Sequence, residues 1–185
     1  MKTSELDILI LPGLGGGTDK HWYRRWNSKL NSARIVEQKQ WDNPEKDEWV
    51  ANILEAINTA EKPVFLIAHS LGTVALAHAS ARLANSNVVG AFIAAIPDLA
   101  ASQHLIPETK SFLQMPTAPL SFPSLQIASQ NDVYCTYKRA EEFSLDLGSL
   151  LVDAGEQGHI NDESGHGPWP EGLMSLSKFL NRLSV

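Results

Sequence analysis

At 185 residues the chain is expected to form one domain over 1–185, long enough to bury about 70% of the surface its unfolded form exposes. A net charge of −6 with no cluster of Lys and Arg leaves no electrostatic footprint for a phosphate backbone, which excludes nucleic acid as an expected partner. The single cysteine, Cys135, excludes an internal disulfide and a multi-cysteine zinc site. The N-terminus shows no basic leader backed by an apolar stretch, and no apolar run approaches the roughly 20 residues that span a bilayer. A soluble, unprocessed, cytoplasmic protein is therefore expected, with no membrane partner; its oligomeric state stays open.

The first apolar run, Leu6 to Leu11, predicts a central strand that ends in the loop Pro12-Gly13-Leu14-Gly15-Gly16-Gly17. Thr18 and Asp19 then offer an N-cap, and Trp22, Trp26 and Leu30 recur at helical spacing up to Asn31. Ala33 to Glu37 reads as a short strand. After Trp41, Asn43-Pro44 combines a cap with proline at the first helical position, opening a helix through Trp49, Ile53, Ile57 and Ala60. Lys62-Pro63 ends it. Val64 to His69 is the next strand, and a small-residue helix follows from Leu71 to Ala84.

Val88 to Ile96 is almost uninterrupted apolar sequence, the mark of a strand covered on both faces. From Leu99 to Pro123 the prolines Pro107, Pro116 and Pro119 allow only short helices, and this long crossover is placed to overhang a site. A strand over Leu125 to Ser129, a helix over Tyr137 to Leu147 and a strand over Leu150 to Ala154 come next. A glycine-rich loop, Gly155 to Trp169, leads to a last helix from Pro170, whose Leu173, Leu176, Leu180 and Leu183 form one stripe. Alternating strands and helices predict an α/β fold: three layers, a doubly wound, mostly parallel sheet of about six strands, with sites at the carboxyl ends of the strands.

The residues that could carry chemistry fall at those ends. Ala68-His69-Ser70-Leu71-Gly72 joins strand to helix with small residues two before and two after the serine, as the tight turn of a nucleophile elbow requires. A serine hydroxyl needs a base in hydrogen-bond contact, and the base needs an acceptor that fixes its tautomer. Asp132 and His159 follow in the order serine, acid, histidine. Asp98 and, less favourably, Asp153 compete for the acid, and His166 competes for the base. The backbone N–H groups of Leu71 and Leu14 are the positional candidates for holding an oxyanion. Trp41, His166 and Trp169 are candidate pocket walls. His69 is expected to pack, because successive strand residues point to opposite faces, while His21, His78 and His104 read as structural or exposed.

A second chemistry is present in outline. Gly13-Leu14-Gly15-Gly16-Gly17-Thr18 nearly matches a dinucleotide fingerprint, with Glu37 about 20 residues on, but Thr18 stands at the third glycine position and the serine, aspartate and histidine are left unused.

Pro12-Gly13, His21-Trp22 with Trp26, Trp41-Asp42-Asn43-Pro44, the serine elbow, Asn131-Asp132-Val133-Tyr134-Cys135, Gly158-His159-Ile160-Asn161 and Gly167-Pro168-Trp169-Pro170-Glu171-Gly172 together resemble the small serine hydrolases related to retinoblastoma-binding protein 9 and the bacterial YdeN-type proteins. That resemblance implies a compact α/β-hydrolase fold without a large cap and a triad of Ser70, Asp132 and His159; a small-molecule substrate is expected, with no cofactor and no metal. Ala68 stands where the elbow's first glycine belongs, and Val133 where proline is expected. The resemblance also carries an alternative, a catalytically weak protein-binding module, although the L-x-C-x-E peptide of retinoblastoma-type binding is absent.

Overall fold

The structure, a computed structural model, describes residues 1–83 and 87–183. Its frame is one sheet of six parallel strands: β1 (Asp7–Leu11), β2 (Ala33–Ile35), β3 (Val64–His69), β4 (Val88–Ala94), β5 (Ser124–Ala128) and β6 (Leu150–Asp153), in the order β2-β1-β3-β4-β5-β6. The chain moves one way from β1 to β2, then returns to lay β3 on the other side of β1. The crevice between the ends of β1 and β3 is therefore the topological switch point, where sites form in open α/β sheets.

Strand periodicity sorts the core. Ile8, Ile10, Phe65 and Ile67 face α1 (Trp22–Lys29) and α6 (Pro170–Arg182), joining Trp22, Trp26, Phe92, Trp169 and Phe179. Their neighbours Leu9, Leu11, Leu66 and Ala68 face the opposite way, toward α2 (Lys46–Asn58), α3 (Leu71–Ser80) and α5 (Tyr137–Leu147), with Trp49, Ile53, Val74 and Phe143. β3 is buried at every position, as a continuous apolar run at the centre of a covered parallel sheet demands. Gly72 is fixed by the same packing. A Cβ there would lie 2.2 Å from the Leu11 carbonyl oxygen, so only glycine lets α3 start this close to β1.

Several boundaries differ from the sequence expectation. α2 begins at Lys46, not Pro44, because a distant residue supplies the cap: the Ser111 hydroxyl accepts the Lys46 N–H at 3.2 Å and donates to the Pro44 carbonyl at 3.1 Å. Thr18 does not cap α1; its hydroxyl donates to Asp162 at 2.7 Å, 144 residues away, and His21 takes the cap position. α3 ends at Ser80, and the expected end at Ala84 lies outside the described residues. The crossover after β4 holds one turn of helix, α4 (Leu99–Ser102), and a 3-10 segment over Pro107–Phe112. On α6 the buried face is Leu176, Phe179 and Leu180, while Leu173 is 40% exposed at its rim.

Candidate active site

Ser70 sits between β3 and α3 with φ 52° and ψ −127°, a strained conformation for a residue with a side chain. The turn is pinned from both sides. Ser70 N–H donates to the Ala94 carbonyl at 3.1 Å, and the Ser70 carbonyl accepts both the N–H and the hydroxyl of Thr73, at 2.8 and 2.6 Å. Gly13 stands against the serine: a Cβ on it would come within 2.7 Å of Ser70 Cβ.

The structure brings Ser70, His159 and Asp132 together. His159 Nε2 lies 2.8 Å from Ser70 Oγ, and His159 Nδ1 lies 2.8 and 3.0 Å from the two carboxylate oxygens of Asp132. Tyr134 N–H donates to Asp132 Oδ1 at 2.9 Å, and the Tyr134 ring meets the His159 ring edge-on at 4.5 Å. The competing acids lie elsewhere. Asp98 caps α4, accepting the Ala101 N–H, and faces Arg139 at 3.7 Å. Asp153 binds Gln130 and the Gly155 N–H.

The loop that carries His159 is held by the loop after β5. Asn131 Oδ1 accepts the Gly158 N–H at 2.6 Å, and Ser129 Oγ accepts the Gln157 N–H at 2.9 Å while donating to Asn131 Oδ1. On its other side Ile160 is fully buried, its carbonyl accepting Trp22 Nε1–H at 2.9 Å. Sequence reasoning did not single out Ser129 or Asn131 as supports for the base; their place in the turn from β5 to Asp132 was the available signal.

A cavity of about 220 Å3 opens beside Ser70. Its lining includes Leu14, Leu71, Ile106, Thr109 and Tyr134 together with His21, Tyr23, His69 and Asp162. Ile106 and Thr109 come from the long crossover after β4, which thus reaches the site. Leu14 and Leu71 both line the cavity, and among the described residues neither backbone N–H has a hydrogen-bond partner.

Three expected pocket residues lie away from this cavity. Trp41 lays its indole against Gly16 and meets Trp49 at 5.5 Å, packing on the core under the glycine loop. Trp169 is buried against Trp22 and Trp26. His166 closes the loop, its Nε2 against Gln157 Oε1 at 3.0 Å, its Nδ1 against Ser164 Oγ at 3.2 Å and its carbonyl accepting Trp22 N–H. The residue missed in their place is His21, buried yet lining the cavity; its position at the start of α1 gave no period that would aim it there.

The electrostatics follow from burial. His21 is 3% exposed, and burial pushes its pKa down to about 3 although Asp162 pulls the other way. Burial, with the imidazoles of His159 and His21 beside it, holds His69 neutral, well below the usual histidine range. Burial also pushes the Cys135 thiol up to about 12, so that this cysteine is an inert thiol near Asp132. The glycine loop does not form a phosphate cradle: the Trp41 indole fills the Cβ side of Gly16, the Tyr23 hydroxyl that of Gly17, and α1 begins only at Trp22.

A parallel sheet with its serine on a strained turn at the switch point, and with no large cap, defines an α/β-hydrolase fold. Within that class the chain belongs to the serine hydrolase family, which it matches over residues 8–178. It is similar to a YdeN-like hydrolase of Pectobacterium atrosepticum at 32% identity and TM-score 0.86, covering 98% of this chain and 94% of that one. The ydeN gene product of B. subtilis shares the fold at 17% identity and TM-score 0.76 (96% and 99% covered), as does Est1E of Butyrivibrio proteoclasticus, solved with ferulic acid bound, at 13% and 0.73 (97% and 90% covered). No curated protein matches the chain. The protein is a hydrolase. Among the described residues no helix is long and apolar enough to cross a membrane.

Proposed function

We propose that the protein, acting as a single domain in a reducing cytoplasm, hydrolyses an ester, thioester or amide bond of a small molecule through a Ser70-His159-Asp132 triad and an acyl-enzyme. The observation that supports this most is the unbroken chain of contacts from Ser70 Oγ through both ring nitrogens of His159 to the Asp132 carboxylate. In the acylation step His159 Nε2 takes the Ser70 proton as Oγ bonds to the carbonyl carbon. The carbonyl electrons move onto oxygen, where the Leu14 and Leu71 N–H groups stabilise them. Collapse of that intermediate expels the leaving group, which takes its proton from His159. Water then repeats the sequence in reverse, and the acid product leaves.

Asp132 holds the hydrogen on Nδ1, so that Nε2 is a free base facing Ser70, and it stabilises the imidazolium once that forms. The assembled contacts favour catalysis over the protein-binding alternative, which needs neither the base nor its orienting acid. With p-nitrophenyl acetate the wild type should turn over well above the uncatalysed rate, and Ser70→Ala should fall to that background. Equal turnover by the two proteins would refute the assignment.

A further inference from the structure

We propose that His69 is a positioning residue for the base: its Nε2–H, donated to the His159 backbone carbonyl, ties the main chain of the base to the strand that presents Ser70. The inference rests on the triad reading above and adds a residue to it.

His159 sits in a long loop with positive backbone φ at Gly155, Gly158, Ile160 and Gly165, so its position must be imposed by contacts from outside the loop. The amide of Gly158 and the carbonyl of Ile160 are held from the β5 loop and from Trp22. The carbonyl of His159 itself is held by His69 Nε2 at 2.9 Å, in a buried contact. A carbonyl can only accept, so the hydrogen is on His69 Nε2. Because His69 is covalently joined to Ser70, nucleophile and base are anchored to one strand end: Ser70 Oγ meets His159 Nε2 at 2.8 Å, and His69 meets the backbone of the same residue at 2.9 Å.

The His69 ring is held in turn. Strand alternation directs it, like Phe65 and Ile67, to the α1 face. There the His21 ring meets it edge-on at 4.7 Å, with Trp22 at 5.9 Å, Tyr23 at 5.7 Å and the His159 ring itself at 5.1 Å. His21 is stacked on Tyr23 at 3.7 Å, so two residues of α1 and its cap fix the donor's direction. Among the described residues the titratable groups that act on His69 are thus His159, His21 and His166, with the Tyr23 ring at 5.7 Å, and no carboxylate is among them. Burial keeps the ring neutral. A lysine or arginine could donate the same bond, but would set a fixed positive charge beside an imidazole that must itself become cationic during the reaction.

The experiment compares His69→Gln, whose side-chain nitrogen can take the place of Nε2, with His69→Phe, which keeps the ring but has no donor, and His69→Asn, whose nitrogen stops short. Each is followed by kcat and KM on p-nitrophenyl acetate and by thermal melting. Misplacing a reacting group by about 1 Å can cost about 100-fold, so His69→Phe and His69→Asn should lower kcat by about 10- to 100-fold with KM nearly unchanged. His69→Gln should restore kcat to within about threefold. If His69→Phe does not fold, the Gln and Asn pair decides. The inference is overturned if the variants without a donor keep wild-type kcat, or if Gln loses as much as Asn while both melt near the wild type. Turnover that survives Ser70→Ala would take down the triad reading and this inference with it; turnover that needs Ser70 yet ignores His69→Phe overturns this inference alone.

Discussion

Asp132→Asn is expected to lower kcat on p-nitrophenyl acetate by about 10⁴-fold, with KM and melting temperature little changed. Both carboxylate oxygens of Asp132 lie against His159 Nδ1, and one of them also accepts the Tyr134 N–H. Asparagine fits the same space but can turn its NH2 toward Nδ1. That arrangement favours hydrogen on Nε2, and a His159 that already carries a hydrogen toward Ser70 cannot act as its base. The matched control is Asp98→Asn. Asp98 also follows a strand, but it caps α4 and faces Arg139, so its replacement should leave kcat within about threefold. Comparable losses in the two variants would contradict the assignment of the acid.

The second large effect is on stability in acid. His21 has a folded pKa of about 3, and His69 lies well below its ordinary value, each because burial disfavours the charged ring. In the unfolded chain both protonate near 6.5. In mildly acidic solution the unfolded state therefore binds more protons at both sites than the native state, and stability rises with pH across this range. Stability is fully present above about pH 6.5 and is lost progressively as pH falls, for His21 down to its folded pKa of about 3. Urea melts between pH 4.5 and 6.5 would measure the slope. His21→Gln and His69→Gln should each flatten it. A slope that neither substitution changes would contradict the buried, neutral state of these rings.

How far the sequence could be read depended on whether the signal was local. β3 and the Ser70 elbow are spelled out by adjacent residues, since a buried strand needs a continuous apolar run and the turn needs small residues at 68 and 72. Asp132 and His159 lie farther apart in sequence, but the topology carries strand ends to one edge of the sheet, so their order alone suggested the contacts the structure displays. The start of α2 was misplaced because Ser111, from another crossover, caps it. Thr18 looked like a cap because its partner Asp162 is 144 residues away. Trp41, Trp169 and His166 were read toward the pocket because aromatic and imidazole side chains near strand ends can face the cavity or the core, and only packing against Gly16, Trp22 and Gln157 decides. His69 was expected to pack, and it does, but its hydrogen bond to the His159 carbonyl joins two segments 90 residues apart and has no trace in local pattern.

The most direct test of the account is covalent. Treated with a fluorophosphonate, the folded protein should take up one equivalent, peptide mapping should place the adduct on Ser70, and Ser70→Ala should take up none. A folded wild type that remains unlabelled, or an adduct mapped to another residue, would contradict the claim that Ser70 is the nucleophile.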